Sequence, residues 1–264
     1  QTGVFIDRPK LEKLFESLGE EVNAIAAEAY SIIGKEINLA SPKQLQTVLF
    51  EDLGMTGTKS VKTGFSTNAA ALNELFEQTE HPFLAKLLEH RESSKLRQIV
   101  ETVIKSIGAD DRIHTNYSQT GTSTGRLSSD SPNLQNIPIK SERGRQIRDS
   151  FVVGDGFETL LTADYSQIEM RIMAHLSEDA GLIEAFKSGE DLHRFVGSRI
   201  FGVAPNEVTS AMRSKVKAMS YGLVYGLSEY GLAKQLRMSN AEAKQLMADY
   251  FDRFGGVRRY LAQV

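Results

Sequence analysis

The sequence has no cysteine among its 264 residues. Without thiols the chain has no disulfide, no thiolate zinc site and no cysteine nucleophile, so a bound metal must be held by oxygen or imidazole ligands. This absence makes hard cations such as Mg²⁺ the leading metal candidates.

Long apolar runs are also missing from the sequence. None approaches the roughly 20 residues that a membrane-spanning helix needs. Residues 1–4 carry neither the charged end nor the apolar stretch of a signal peptide. We therefore expect an intracellular protein without a membrane partner. The hydrophobic content of 41% predicts a globular chain with one large core or two smaller ones.

An overall excess of positive charge is absent too, since the net charge is −3. This balance argues against a nucleic-acid partner, because phosphate contacts need clustered Lys and Arg. Residues 112–148 are the exception, with six basic residues against two acids and a local charge of +4. The segment is either a surface for a polyanion or an exposed loop that happens to be basic.

Helical periodicity dominates the first hundred residues. Asp7 and Pro9 favour a helix start, and residues 41–44 predict a capping box with proline at the first helical position. We expect no strand between about residues 7 and 108. The polar, glycine-rich stretch between Met55 and Thr67 is interpreted as an exposed connector.

The middle of the chain changes character. Residues 119–139 are interpreted as a long ordered loop, which in a globular protein is usually functional or disordered. Residues 157–164 predict a buried strand that ends in Asp164. Ser166 and Glu169 then open a helix that is expected to turn Ile168, Ile172, Met173 and Leu176 inward.

A carboxylate at the end of a buried strand is rigidly placed and suits a Mg²⁺ ligand that also meets a substrate phosphate. The alternative is structural. In that case Asp164 merely ends a strand, and Ser166 with Glu169 is only a capping box.

A predicted helix from about residue 208 to 226 carries Arg213, Lys217, Tyr221 and Tyr225 at intervals of four, so all four project from one face. Two cations suit a polyphosphate, and tyrosine rings suit base stacking. Gly222 and Gly226 would leave room for a close neighbour. The alternative is an ordinary amphipathic helix with surface cations and buried tyrosines. A further helix is predicted from Ser239, capped with Glu242.

Together these motifs resemble those of the A-family DNA polymerases, in the polymerase domain of the bacterial DNA polymerase I type. Residues 164–169, Asp-Tyr-Ser-Gln-Ile-Glu, resemble motif A, and residues 213–226 resemble motif B. The variant with Ser220 and Tyr221 resembles the actinobacterial branch. The resemblance covers nearly the whole chain, and further matching segments are residues 41–45, 59–67, 124–129 and 132–138.

The resemblance implies an α+β protein with the right-hand polymerase fold. Residues 1–111 would form a helical thumb. Residues 112–190 would form a partial antiparallel palm with motif A, and residues 191–264 would form helical fingers with motif B. The sequence then stops before motif C, so we expect a fragment of a polymerase domain.

The implied reaction is template-directed DNA synthesis, in which a nucleotide is transferred from a dNTP to the primer 3′ hydroxyl by a two-metal mechanism with Mg²⁺. The implied partners are primer-template DNA and dNTPs. The implied setting is a cytoplasmic, nucleoid-associated monomer that acts in DNA replication and repair.

The resemblance also implies roles for individual residues. Asp164 and Lys217 would be catalytic, and Asp164 with the Tyr165 carbonyl would hold the metal. His193 is assigned by the resemblance alone, because in its context it is more often a surface helix residue. Nucleotide binding would involve Gln167, Glu169, His193, Arg213, Lys217 and Tyr221. DNA binding would involve Ser66, Lys95, Arg126, Asn133, Gln135, Asn136 and Tyr225, with Lys59 and Lys62 at a mobile thumb tip.

One family motif is missing. None of the five histidines is followed by aspartate, so the His-Asp-Glu motif that completes the metal site is absent. We predict that this chain alone does not extend primers, and templated extension by the isolated chain would contradict that. The alternatives are a noncatalytic DNA-binding fragment and a phage-type single-chain RNA polymerase. Glu169 argues against the latter, because it would exclude a 2′ hydroxyl.

Overall fold

The computed structural model describes residues 2–58, 60–61, 64–139, 141–189 and 191–264. The chain divides into two compact units, Gln1–Leu161 and Thr162–Val264. Each unit has its own apolar core. The clusters around Leu45 and Leu96 lie in the first unit, and the cluster around Met219 lies in the second.

The first unit is built on a pair of long helices that pack against each other. Asp7 caps the first helix by accepting from the Lys10 N–H, as predicted. Leu11, Leu14 and Leu18 bury one face of it against the second long helix. The helices of this unit are α1 (Arg8–Ile33), α2 (Pro42–Gln46), α3 (Ala69–Thr79), α4 (Pro82–Lys105) and α5 (Glu142–Arg148), with a π-helical turn at Thr47–Asp52 after α2.

The capping box predicted at residues 41–44 is half formed. The Ser41 hydroxyl accepts from the Gln44 N–H at 3.4 Å. The Gln44 side chain, however, accepts from the Asn38 N–H at 2.6 Å instead of returning to Ser41. The Ser41 N–H donates to the Asn38 carbonyl at 2.9 Å, so the reciprocal bond is not made.

The strands of the first unit are short and antiparallel. They are β1 (Val4–Ile6), β2 (Ser60–Val61), β3 (Gly64–Phe65), β4 (Arg112–Ile113), β5 (Asn116–Ser118), β6 (Ser128–Asp130) and β7 (Phe151–Val152). One sheet has the order β4-β1-β7, while β2 pairs with β3 and β5 pairs with β6. The expectation of no strand between residues 7 and 108 was therefore wrong at β2 and β3, where Ser60 lies opposite Phe65 and Val61 opposite Gly64.

The predicted strand at residues 157–164 was also wrong. The described backbone from residue 153 to 165 has neither helix nor strand, and Phe157, Leu160 and Leu161 are exposed. A strand forms only where its N–H and C=O groups pair with a neighbour. None of the described segments pairs with these residues, so an apolar sequence alone does not make them a strand.

The second unit is helical. Its helices are α6 (Ile168–Ser177), α7 (Ala180–Lys187), α8 (Leu192–Phe201), α9 (Ser210–Val224), α10 (Glu229–Leu236), α11 (Asn240–Arg253) and α12 (Gly255–Gln263). The capping box predicted for Ser239 and Glu242 at the start of α11 is confirmed.

The inward face predicted for α6 was mostly wrong. Met170, Met173 and Ala174 are buried, whereas Ile168, Ile172 and Leu176 are 40 to 49% exposed. Both stripes have helical spacing, so the sequence could not tell which one packs. Nor does Ser166 cap the helix, because Gln167 is the N-cap, in the left-handed region at φ 53° and without a side-chain capping bond.

Candidate functional site

The start of α6 meets the end of α9 through one hydrogen bond. Tyr225 follows the last residue of α9, and its hydroxyl donates to Glu169 Oε1 at 2.7 Å. The two residues are 56 positions apart in the sequence. The bond brings the predicted motif A carboxylate onto the aromatic end of the predicted motif B helix.

Tyr221 lies one turn earlier on α9 and is partly buried. Its pKa is raised, first by burial and then by the negative charges of Glu169 and Asp164. The negative charges of both carboxylates therefore disfavour ionisation of the Tyr221 hydroxyl. Asp164 itself is exposed, as is Tyr165 at 78%, in the irregular segment that leads into α6.

His193 is buried on α8, with only 2% of its surface exposed. Its ring centroid lies 6.0 Å from that of Tyr221, and its Nδ1 is buried without a hydrogen-bond partner among the described residues. Burial lowers the pKa of His193 to about 4. Asp191 opposes this shift, whereas Arg213 and Lys217 add to it. The imidazole is thus neutral near pH 7. The alternative considered from the sequence, a surface helix residue, was wrong, because the side chain is buried.

The two cations of α9 have different surroundings. Arg213 donates from Nη2 to Asp191 Oδ2 at 2.7 Å and from Nε to both carboxylate oxygens at 3.1 and 3.3 Å. The hydrogen bond lowers the pKa of Asp191 and raises that of Arg213. Lys217 is exposed one turn further on. The ion pair therefore holds the Arg213 guanidinium in place, whereas the Lys217 side chain is exposed to solvent.

Three of the four residues in the predicted stripe lie within a helix. Arg213, Lys217 and Tyr221 lie on α9, and Tyr225 is its C-cap. Tyr225 is 60% exposed, unlike the buried tyrosine of an ordinary amphipathic helix.

The two glycines next to the tyrosines of the stripe have different structural roles. A Cβ at Gly222 would lie 2.7 Å from the Leu227 side chain, which folds back onto the helix. Gly226 instead has φ +74° with open space around it, so its role is conformational. The close approach predicted for both glycines holds only at Gly222.

Gln167 is the N-cap of α6 and follows Ser166. Its Oε1 is buried and without a hydrogen-bond partner in the described part of the chain. We name the set of residues 164, 169, 193, 213, 217, 221 and 225 the α6–α9 cluster. It combines acidic, cationic and aromatic side chains from three sequence-distant helices and the segment before α6.

Oxygen donors for a cation are few in this cluster. Asp164 offers an exposed carboxylate beside the Tyr165 carbonyl. No three His, Asp or Glu side chains within the described ranges form a metal-binding group. The donor type suits a hard cation, but the described ligand set is small.

The predicted DNA-contacting residues lie in the first unit, apart from Tyr225. Arg126, Asn133, Gln135 and Asn136 are exposed on residues 119–139, which we name the exposed loop. Part of this loop is ordered by the β5–β6 pairing and by a 3₁₀ turn at Leu134–Asn136.

Two of these side chains also bond within the loop. Asn133 accepts from the Gln135 N–H at 2.9 Å, and the Gln135 side chain donates to the Leu127 carbonyl at 3.0 Å. Below them, the Thr115 and Ser129 hydroxyls lie 2.8 Å apart in a buried contact. The loop is therefore held in shape by its own hydrogen bonds.

Ser66 and Lys95 lie elsewhere in the first unit. Ser66 follows β3, where its carbonyl accepts from the Thr58 hydroxyl at 2.5 Å. Lys95 is exposed on α4. Lys59 and Lys62, expected at a mobile thumb tip, and Lys140 of the basic segment 112–148 lie outside the described residues.

Sequence reasoning missed Asp191. It caps α8 by accepting from the Arg194 N–H at 3.0 Å and also pairs with Arg213, 22 positions later. The sequence around Asp191 does not indicate that Arg213 is its partner, because the contact depends on how α8 and α9 pack.

None of the described helices is long and apolar enough to cross a membrane.

Comparisons with known proteins agree with the motifs. The model of DNA polymerase family A matches residues 8–264. DNA polymerase I of Mycobacterium bovis is 59% identical over 262 residues, which are 99% of this chain and 29% of that protein. DNA polymerase I of Geobacillus stearothermophilus is 42% identical over 265 residues, or 100% of this chain and 30% of that protein.

A solved structure is similar over the whole chain. It is the POL domain of Pol1 from M. smegmatis in complex with DNA primer-template and dNTP, at 59% identity and a TM-score of 0.94. The match covers 100% of this chain and 47% of that one. The chain thus spans less than a third of the curated relatives described above. On the match to residues 8–264, it belongs to DNA polymerase family A.

Proposed function

We propose that this chain holds primer-template DNA and an incoming dNTP, and that within a longer polymerase it takes part in transferring the nucleotide to the primer 3′ hydroxyl. The observation that carries the proposal is the convergence in the α6–α9 cluster, where Glu169 bonds to Tyr225 and both Asp164 and Glu169 act on Tyr221. Residues 1–111, 112–190 and 191–264 would serve as thumb, palm and fingers, in a monomer that acts on nucleoid DNA in the cytoplasm.

The cations of the cluster suit a triphosphate. Arg213 presents a fixed fork, and Lys217 presents a mobile ammonium. Neutral His193 can donate one hydrogen bond without adding charge. Tyr221, partly buried beside that ring, offers a face on which the incoming base and sugar can stack. Gln167, at the start of α6, completes the set of nucleotide contacts.

Asp164 and the Tyr165 carbonyl would hold Mg²⁺, since both are the oxygen donors that this ion prefers. When bound, Mg²⁺ supplies activation of the primer hydroxyl and neutralisation of phosphate charge. The exposed position of Asp164 leaves its carboxylate accessible to such a ligand. Because the donor set among the described residues is small, we infer that the chemical step belongs to the longer polymerase and that this chain alone does not extend primers.

The exposed loop, with Ser66 and Lys95, would contact the DNA. Arg126, Asn133, Gln135 and Asn136 would donate to the minor groove near the growing end, at acceptor positions that correct base pairs share. Such contacts read pairing geometry without reading sequence. Tyr225, at the end of α9, would lie by the template base.

Two other functions remain as alternatives. A noncatalytic DNA-binding fragment would use the exposed loop but has no need of Asp164 beside the cations of α9. A phage-type single-chain RNA polymerase would have no need of Glu169, which in our proposal excludes a 2′ hydroxyl.

The test is Asp164→Asn in the longer polymerase that carries these residues. We expect nucleotide incorporation to fall roughly 10³-fold or more, because a metal ligand contributes several kcal/mol to the transition state. Primer-template affinity should stay within about twofold, since no duplex contact is removed. Both quantities are measured by single-turnover extension and by fluorescence anisotropy.

The matched control is Asp155→Asn, which neutralises an exposed carboxylate nine residues earlier in the same irregular segment. It should change neither quantity. Unimpaired incorporation by Asp164→Asn would contradict the catalytic role of Asp164, and a noncatalytic DNA-binding role of this chain would then be the better account.

A further inference from the structure

Asp191 serves two helices with one carboxylate. It is the N-cap of α8, where Oδ1 accepts from the Arg194 N–H at 3.0 Å. The same carboxylate accepts from Arg213 of α9 through Nε and Nη2, at 2.7 to 3.3 Å. The residue therefore fixes the start of α8 and the tip of Arg213 together.

The pairing leaves part of the guanidinium unused. A guanidinium has five N–H donors in a planar fork. Asp191 occupies the Nε donor and one Nη2 donor, so three donors on Nη1 and Nη2 remain. The Arg213 side chain is 38% exposed, so the ion pair holds the plane of the fork without enclosing it.

His193 lies two residues after this cap, and the charges of Asp191 and Arg213 both affect its pKa. Burial lowers its pKa most, Asp191 opposes that shift, and Arg213 and Lys217 add to it. The carboxylate, the guanidinium and the imidazole are thus within electrostatic reach of one another. Asp191 stays ionised well into the acid range, because Arg213 lowers its pKa.

We propose that Asp191 is a positioning residue for the triphosphate: it holds the Arg213 fork against the start of α8, with the unused edge free for a phosphate, and so aligns Arg213 with His193. This inference rests on the proposed function and adds to it a residue without a substrate contact of its own. The opposite role, in which Asp191 competes with the phosphate for Arg213, predicts tighter nucleotide binding when the carboxylate is removed.

Asp191→Ser in the longer polymerase tests the proposal, because serine also caps helices well but cannot form the ion pair. We expect the KM for dNTP to rise about fivefold, the range of a partly exposed ion pair. The kcat should stay within about twofold and the melting temperature within a few degrees. Arg213→Ala should raise the KM by itself, and adding Asp191→Ser to it should have no further effect.

The matched control is Asp7→Ser, the same substitution at the N-cap of α1, where no arginine pairs with the carboxylate in the described structure. It should leave the KM unchanged. An unchanged or lower KM for Asp191→Ser, or an equal rise in the Arg213→Ala background, overturns the positioning role while the proposed function stands. If Arg213→Ala also leaves the KM unchanged, the assignment of the triphosphate to this site fails, and the inference fails with it.

Discussion

The α6–α9 cluster of the second unit and the exposed loop of the first unit present polar side chains in different ways. In the cluster, side chains from α6, α8 and α9 act on one another, and His193 is nearly inaccessible to solvent. In the loop, Arg126, Asn133 and Asn136 are exposed, and the hydrogen bonds of Asn133 and Gln135 are to nearby backbone.

This difference matches two kinds of ligand. A nucleoside triphosphate is compact and highly charged, so it needs groups that converge and are held in place. A duplex spreads its charge along its length and is bound by an extended surface of separate contacts. Removing one side chain of the cluster should therefore change nucleotide use strongly, whereas removing one side chain of the loop should weaken DNA binding only slightly.

Apart from the larger loss expected for Asp164→Asn, the largest effect within this comparison is expected for Glu169→Ala. Removing the side chain that would pack under the sugar should let the longer polymerase accept ribonucleotides. A 2′ hydroxyl forced into a filled site costs about 1–3 kcal/mol. Discrimination between dNTP and rNTP, measured as the ratio of kcat/KM values, should fall about 5- to 150-fold.

Glu184→Ala, which removes an exposed glutamate from α7, is the control and should keep the wild-type ratio. If Glu169→Ala keeps it too, Glu169 is not the group that excludes the ribose hydroxyl.

A smaller effect is expected from the buried imidazole of the cluster. His193 has a pKa of about 4 in the folded chain against an ordinary 6.5. As the pH falls through 6.5 the unfolded chain binds a proton that the folded chain does not, so folding stability is lost between about pH 6.5 and 4. At pH 5 the loss is at most about 2 kcal/mol.

His193→Gln should remove this loss, as measured by urea unfolding of the 264-residue chain at pH 7 and pH 5. The Asp191 carboxylate does not contribute in this window, because its pKa is lowered and its stabilisation is lost only at more acidic pH. His175→Gln removes an exposed imidazole from α6 and serves as control. An equal pH dependence in wild type and His193→Gln would show that His193 is not buried as described.

The smallest effect is expected for Arg126→Ala in the exposed loop. Primer-template affinity should fall about two- to fivefold for every sequence tested. The slope of log affinity against log salt should decrease by about 1, because one cation beside the DNA is removed. The KM for dNTP should not change, because the nucleotide contacts are elsewhere.

Arg145→Ala is the matched control, because it removes the same charge from the same basic segment but on α5, outside the exposed loop. A larger loss from Arg145→Ala than from Arg126→Ala would mean that the exposed loop is not the DNA-binding surface.

Local signals in the sequence predicted the helices well. Asp7 and Ser239 lie at helix starts as their capping chemistry requires, and the stripe of α9 appears where a spacing of four placed it. These signals act over three or four residues, so neighbouring side chains suffice to set them.

Two further errors, at residues 157–164 and on α6, came where the outcome depends on distant chain segments. Residues 157–164 have the apolar composition of a buried strand but no described partner to pair with. On α6 two stripes with the same spacing compete, and packing against other helices buries the one with Met170 and Met173.

The sequence by itself determined the family, through the order and spacing of its motifs, and it identified Asp164, Glu169 and the stripe of α9 as the residues to examine. Only the tertiary structure decided that Glu169 bonds to Tyr225, that His193 is buried and neutral, and that Asp191 pairs with Arg213. The physical reason is that hydrogen bonds, burial and charge interactions act over a few ångströms in space, whatever the separation of the residues along the chain.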